Sequence, residues 1–150
     1  MRPNRLRERL RAGRPTLGTH IHSAWPAVVE LAGHAGCFDY VEFVGEYAPY
    51  DLFALENLAR AVNTFDHMSA MFKVEQQPRT YLAVRAIGAG IQNLLFADPR
   101  TPDDVRECVR SVRAETQWRT RDRDGKNAST ICTRNCPCVC WPKVRSCRSG

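Results

Sequence analysis

The sequence predicts an α/β fold built from four β-α units, and three observations carry that reading. Four short apolar runs are each followed by a segment with helical apolar spacing. The runs recur about 25 residues apart, the length of one β-α unit with a crossover helix. No G-x-G-x-x-G follows the first run, which argues against a dinucleotide-binding sheet. Four such units fit half of a (β/α)8 barrel, whose whole length is usually ~250 residues. By periodicity alone they fit a small open parallel sheet equally well.

Asn4 is placed to cap a short helix from Arg5 to Ala12, which Gly13 and Pro15 stop. Leu17 to His22 reads as the first strand. Ser23 is the expected cap of the next helix, with Pro26 in its first turn and Val28, Val29, Leu31 and Ala32 as its apolar residues. Gly36 ends that helix. Tyr40 to Val44 is the second strand, and Asp51 caps the helix over 52–65, with Leu52, Leu55, Leu58, Ala59 and Val62 at helical spacing. Met68 to Val74 is the third strand. Pro78 opens a helix carrying Tyr81, Leu82, Val84 and Ile87, closed by Gly88 and Gly90. Ile91 to Phe96 is the fourth strand. Thr101 caps a last helix with Pro102 at its first position and Asp103 and Asp104 where the helix dipole favours acids; Val105, Cys108, Val109 and Val112 are its expected buried stripe.

From Gln117 the apolar periodicity stops. The chain carries a net charge of +6, and residues 117–150 account for all of it with eight Lys/Arg against two Asp. Residues 1–116 hold 14 bases and 14 acids. Five of the seven cysteines (Cys132, Cys136, Cys138, Cys140 and Cys147) also fall in the tail. The chain therefore divides into a neutral domain over 1–116 and a basic, Cys-rich segment over 117–150, which is expected to be irregular. The abrupt Arg/Ser/Cys/Trp bias of that segment resembles out-of-frame translation of a GC-rich message. Its C-x3-C-x-C-x-C spacing holds enough thiolates for zinc but lacks the second ligand pair of ordinary structural sites. Disulfides are not expected in a cytoplasmic chain. Aromatic residues interleave the basic ones only at Trp118 and Trp141, so nucleic acid is not the expected partner. No apolar run approaches the ~18 residues of a membrane span. The Arg-rich start lacks a signal-peptide core, so the expected location is cytoplasmic.

The loop after the second strand, Gly45-Glu46-Tyr47-Ala48-Pro49, resembles the G-E-H-A-P stretch of the HpcH/HpaI aldolase/citrate lyase family. Arg11-Ala-Gly-Arg-Pro-Thr-Leu-Gly18 is similar to that family's K-A-G-x-P-x-I-G entry to strand 1. Gly90 to Phe96 and the helix from Thr101 resemble its fourth strand and the helix after it. The similarity covers roughly residues 5–115 as an ordered set. It implies a phosphoenolpyruvate/pyruvate-type TIM barrel, here only the N-terminal half, and a class II, pyruvate-dependent carbon–carbon lyase. In such enzymes a divalent metal, Mg2+ or Mn2+, chelates pyruvate through a glutamate and an aspartate after strands 5 and 6. A histidine in G-E-H is the base, and an arginine ending strand 3 meets the enolate oxygen.

This sequence departs from that pattern. The base position holds Tyr47, whose phenol (ordinary pKa ~10) is a poor base at neutral pH. The arginine position holds Lys73, which keeps the charge and loses the bidentate fork. The acidic partner of the histidine falls near Gly88. The metal carboxylates would lie beyond residue 116, and Asp122 and Asp124 lack a strand-end context. The resemblance therefore implies Tyr47 and Lys73 as catalytic candidates and Glu46 and His20 as substrate-binding candidates, with no metal ligand assigned. Against these stand plainer roles: packing for Tyr47, a structural carboxylate for Glu46, and barrel lining for His20 and His22. His34 and His67 sit at helix ends and carry no assigned function.

The expected activity is cleavage or formation of a carbon–carbon bond in 2-oxo-4-hydroxy acids through a pyruvate enolate, weak or absent in a half barrel. Open edges at the first and fourth strands invite self-association. Two other readings are a non-catalytic scaffold whose tail binds metal or nucleic acid, and an amidohydrolase-type metal hydrolase in which His20 and His22, two apart on one strand, share a zinc ion.

Overall fold

The computed structural model describes residues 3–113, 117–121 and 127–131. The chain divides into two compact units, Met1–Val112 and Arg113–Gly150. The first unit holds α1 (Arg5–Arg11), β1 (Gly18–Ile21), α2 (Pro26–His34), β2 (Tyr40–Val44), α3 (Leu52–Val62), β3 (Ser69–Val74), α4 (Arg79–Gly88), β4 (Asn93–Phe96) and α5 (Pro102–Val112). Its four strands form one parallel sheet in the order β1-β2-β3-β4, with helices alternating between them. The parallel β-α units are those that the periodicity predicts, and their arrangement as a partial TIM-barrel-like fold is the one that the resemblance implies.

Parallel pairing aligns residues across the sheet, and aligned residues share a face. Ile21, Phe43, Phe72 and Leu94 form one row. They pack with Val29, Leu55, Leu58, Ala59, Val62, Leu82 and Ala86 into the hydrophobic core between sheet and helices. The adjacent row is His20, Glu42, Met71 and Asn93, and the next residues on that same face are Val44, Lys73 and Leu95. One face of the sheet is thus hydrocarbon, and the other carries a histidine, a glutamate and a lysine.

Helix α1 closes the N-terminal end of this second face. Asn4 caps it by accepting from the Arg7 N–H at 3.0 Å, and its amide donates to Asn93 Oδ1 at 2.8 Å. Leu6 is buried and its N–H reaches Ser69 Oγ at 3.4 Å; Arg9 pairs with Asp39 at 2.8 Å. Gly18 is required here because the Tyr40 ring lies over it, 2.1 Å from where a Cβ would stand.

The caps at Asp51 and Thr101 form as expected. Asp51 accepts from the Ala54 N–H at 2.7 Å, and Thr101 and Asp104 exchange side-chain-to-backbone hydrogen bonds in a capping box. Three expectations need correction. Ser23 does not cap α2: its Oγ takes the Trp25 N–H, and Pro26 at the first helical position has no N–H to offer. In α2 and α4 the apolar period is right only in part: Val28, Val29, Ala32 and Leu82 pack into the core, Leu31, Tyr81 and Val84 are exposed, and Ala83, Ala86 and the whole Arg79 side chain are buried as well. Small alanines let α4 lie close to the sheet, and Arg79 is covered by α5, where Asp104 and Glu107 stand 3.9 and 3.8 Å from its Nη1. Finally, only Cys108 of the α5 stripe is buried, because β4 is the edge of this sheet and Val105 and Val109 have no further strand beneath them in this unit.

Within the segment expected to be irregular, β5 (Gln117–Arg121) and β6 (Asn127–Ile131) pair antiparallel. Asp122, Asp124 and the tail cysteines lie outside the described residues. Among those described, no helix is long and apolar enough to cross a membrane.

Leu55 is fully buried and Leu31 is 72% exposed, so the two leucines make a direct comparison. Leu55→Ala should cost ~2–5 kcal/mol in a urea unfolding curve, and Leu31→Ala less than ~0.5 kcal/mol.

Candidate active site

The polar residues of the second face collect toward the C-terminal ends of the strands, where parallel α/β folds place their chemistry. Lys73, near the end of β3, meets Glu46 from the β2–α3 loop, with Nζ 2.5 Å from Oε2. Both side chains are largely covered. The contact with Lys73 holds the Glu46 carboxyl below its ordinary range, with the Tyr47 hydroxyl adding to this and desolvation opposing it. Lys73 is raised in turn, first by Glu46 and in smaller measure by the charges of Tyr47 and Glu42. Its ammonium also stands 5.2 Å from the centre of the Tyr47 ring. Tyr47 is 69% exposed, and its ring lies 6.4 Å from that of His22.

On β1, His20 faces its register partner Glu42, with Nδ1 3.4 Å from Oε1. The imidazole is 69% exposed and the carboxylate only 8%. Glu42 Oε1 is buried and has no hydrogen-bond partner among the described residues. Sequence reasoning missed Glu42. The available signal was a glutamate inside an otherwise apolar strand, a residue type rarely buried without a partner.

Four of the sequence candidates, His20, Glu46, Tyr47 and Lys73, therefore lie on this face or on the loop beside it. His20 and His22 do not converge: one turns to Glu42 and the other lies beside Tyr47. Among the described residues no group of three His, Cys, Asp or Glu is gathered to hold a metal ion. A separate open cleft of about 450 Å³ lies between the β2–α3 and β3–α4 loops, lined by residues 48–52 with Glu75, Pro78 and Leu82. There Tyr50 donates to Glu75 at 3.2 Å. Burial first, then the Glu75 charge, pushes its phenol upward, so Tyr50 stays a protonated donor.

Comparison with known proteins points the same way. No protein-family profile matches the chain. A hydroxypyruvate/pyruvate aldolase from Deinococcus radiodurans is 28% identical over 116 residues, covering 76% of this chain and 40% of the relative. A solved HpcH/HpaI aldolase/citrate lyase family protein from Burkholderia cenocepacia superposes with a TM-score of 0.66 at 25% identity, over 87% of this chain and 49% of that one. Another, the HpcH/HpaI aldolase of Desulfitobacterium hafniense, shares the fold at 21% identity and a TM-score of 0.66, over 74% of this chain and 42% of that one. The chain spans less than half the length of each of these HpcH/HpaI-type relatives.

The Glu46–Lys73 pair sets a pH window for stability. Glu46 is depressed in the folded state, so its contribution is present above its unfolded value of about 4.5 and is lost as pH falls through the lower folded value. Lys73 is raised, so its contribution is full below about 10.5 and is lost as pH rises through the higher folded value. The stability difference between wild type and Glu46→Gln should be flat from about pH 6 to 9 and shrink below about pH 4. Urea titrations across that range would show it.

Proposed function

We infer that this chain presents the substrate-facing half of a carbon–carbon lyase site acting on 2-oxo acids, with 2-oxo-4-hydroxy acids as the substrate class. The observation that carries this reading is the placement of Lys73, paired with Glu46 and stacked near Tyr47, at the strand ends of a half barrel similar to pyruvate-using aldolases. An ammonium there is suited to meet the carboxylate of a 2-oxo acid or the negative charge that develops on its carbonyl oxygen. Glu46 fixes the ammonium in position, and Tyr47 closes over it as a wall and hydroxyl donor.

The divalent metal that the family uses does not fit the described residues. Glu42 faces His20, Glu46 faces Lys73, and no three ligands converge. We therefore assign the described half only groups that bind substrate, balance charge and move protons. The edges of β1 and β4, which have no further strand partner among the described residues, support self-association as part of the same reading.

The test is cleavage of 4-hydroxy-2-oxo acids by the purified chain in Mg2+ or Mn2+ buffer, followed as release of the 2-oxo acid. Slow turnover is expected, below the ~1 s⁻¹ floor of typical enzymes, with Lys73→Met lowering it at least ~10-fold. No detectable cleavage would sink the reading, and undiminished turnover in the Lys73 variant would remove Lys73 from it. Sedimentation of the same sample should show species larger than a monomer.

A further inference from the structure

We propose that His20 is the proton-transfer group of this site and that Glu42 is the residue that positions it. The proposal rests on the 2-oxo acid reading above and assigns a base that the Gly45-Glu46-Tyr47 loop no longer supplies. Three observations support it. His20 and Glu42 are register partners on neighbouring strands, so the rigid sheet, not a loop, sets their approach. Glu42 is buried, and its Oε1, otherwise without a hydrogen-bond partner among the described residues, lies 3.4 Å from His20 Nδ1. The imidazole itself is 69% exposed on the face that carries Lys73.

A buried carboxylate oxygen without a donor is costly, and a proton on His20 Nδ1 supplies the donor. That choice fixes the tautomer: with Nδ1 protonated toward Glu42, Nε2 is left with its lone pair directed away from the carboxylate. A base oriented in this way by a second acid is the arrangement that general-base catalysis requires, and contacts of this kind tighten when substrate binds. The step balances without an added reagent. A C3–H bond of the 2-oxo acid breaks and its proton passes to Nε2 of neutral His20. The electron pair forms the C2–C3 double bond, and the carbonyl pair moves to O2, toward the Lys73 ammonium. Return of a proton from Nε2 to C3 restores the keto acid. His22 is not equivalent, because its ring lies against Tyr47 and no carboxylate is paired with it among the contacts of the described residues.

The experiment is run on the full chain with pyruvate as probe. Nitrogen-15 NMR of histidine-labelled protein reads the tautomer directly, and loss of the pyruvate methyl proton signal in D2O buffer reads proton abstraction. His20 should be the Nδ1–H tautomer in wild type and revert toward the Nε2–H form usual in free histidine in Glu42→Met. Methyl exchange should exceed the protein-free rate, fall at least ~10-fold in both His20→Gln and Glu42→Met, and stay within ~2-fold in His34→Gln, a control at a helix end. Exchange that persists in His20→Gln overturns the proposal and leaves the 2-oxo acid reading standing. No exchange by the wild-type chain overturns both. An Nε2–H tautomer for His20 in wild type overturns the positioning role of Glu42, and this measurement holds even where a variant fails to fold.

Discussion

Everything distinctive about this chain depends on the parallel register of β1 to β4. Because aligned residues share a face, a single offset decides the position of every side chain in the sheet. The observed offset sends Ile21, Phe43 and Phe72 into the helix layer and His20, Glu42 and Lys73 to the opposite side. A slip by one residue would bury a lysine, a glutamate and a histidine among leucines and valines. The cost of burying those charges far exceeds that of any single packing defect, so the polar row helps to lock the register that the apolar row favours.

The polar face is also sorted along its length. At the N-terminal end, α1 spends its polar groups on the sheet: Asn4 on Asn93, Arg9 on Asp39, and the Leu6 N–H on Ser69. That end is tied down and closed. At the other end the charged groups come from β1, β2, β3 and the β2–α3 loop, and all but the buried Glu42 stay partly open to solvent. Stability and chemistry are thereby separated by the direction of the strands, the division expected of barrel folds.

Much of this was legible in the sequence, and the failures have identifiable causes. The order of elements and the caps at Asn4, Asp51 and Thr101 follow from local chemistry, which a linear sequence displays. The loop Gly45-Glu46-Tyr47-Ala48-Pro49 was legible because its residues are contiguous. Glu42 was not, because a lone glutamate in a short strand can face either way until its neighbours set the register. Arg79 was hidden for the same kind of reason: an arginine at the start of α4 reads as solvated, and only the packing of α5 against it makes it one of the largest fully buried side chains. The exposed valines of α5 show the converse error. Periodicity identifies the face that a helix can bury, whereas burial needs an element on the other side.

Tyr47 and Lys73, which stand where the similar family has a histidine and an arginine, are best understood together. An arginine at the end of strand 3 would keep spare donors after pairing with one acid, because its fork has five N–H groups. Lys73 carries all three of its N–H donors on one nitrogen, and Glu46 already stands 2.5 Å from it. A second anion arriving here must therefore share that ammonium with Glu46 or displace it. Tyr47 reinforces the hold, since its ring faces the ammonium and its hydroxyl favours the ionised form of Glu46. Charge on this side of the candidate site is thus largely neutralised within the protein itself. On the β1 side the balance is reversed: a buried carboxylate stands beside an exposed imidazole able to take a proton. The β2–α3 loop is thus the quieter half of the candidate site, and the sheet beneath it holds the pair proposed to move a proton.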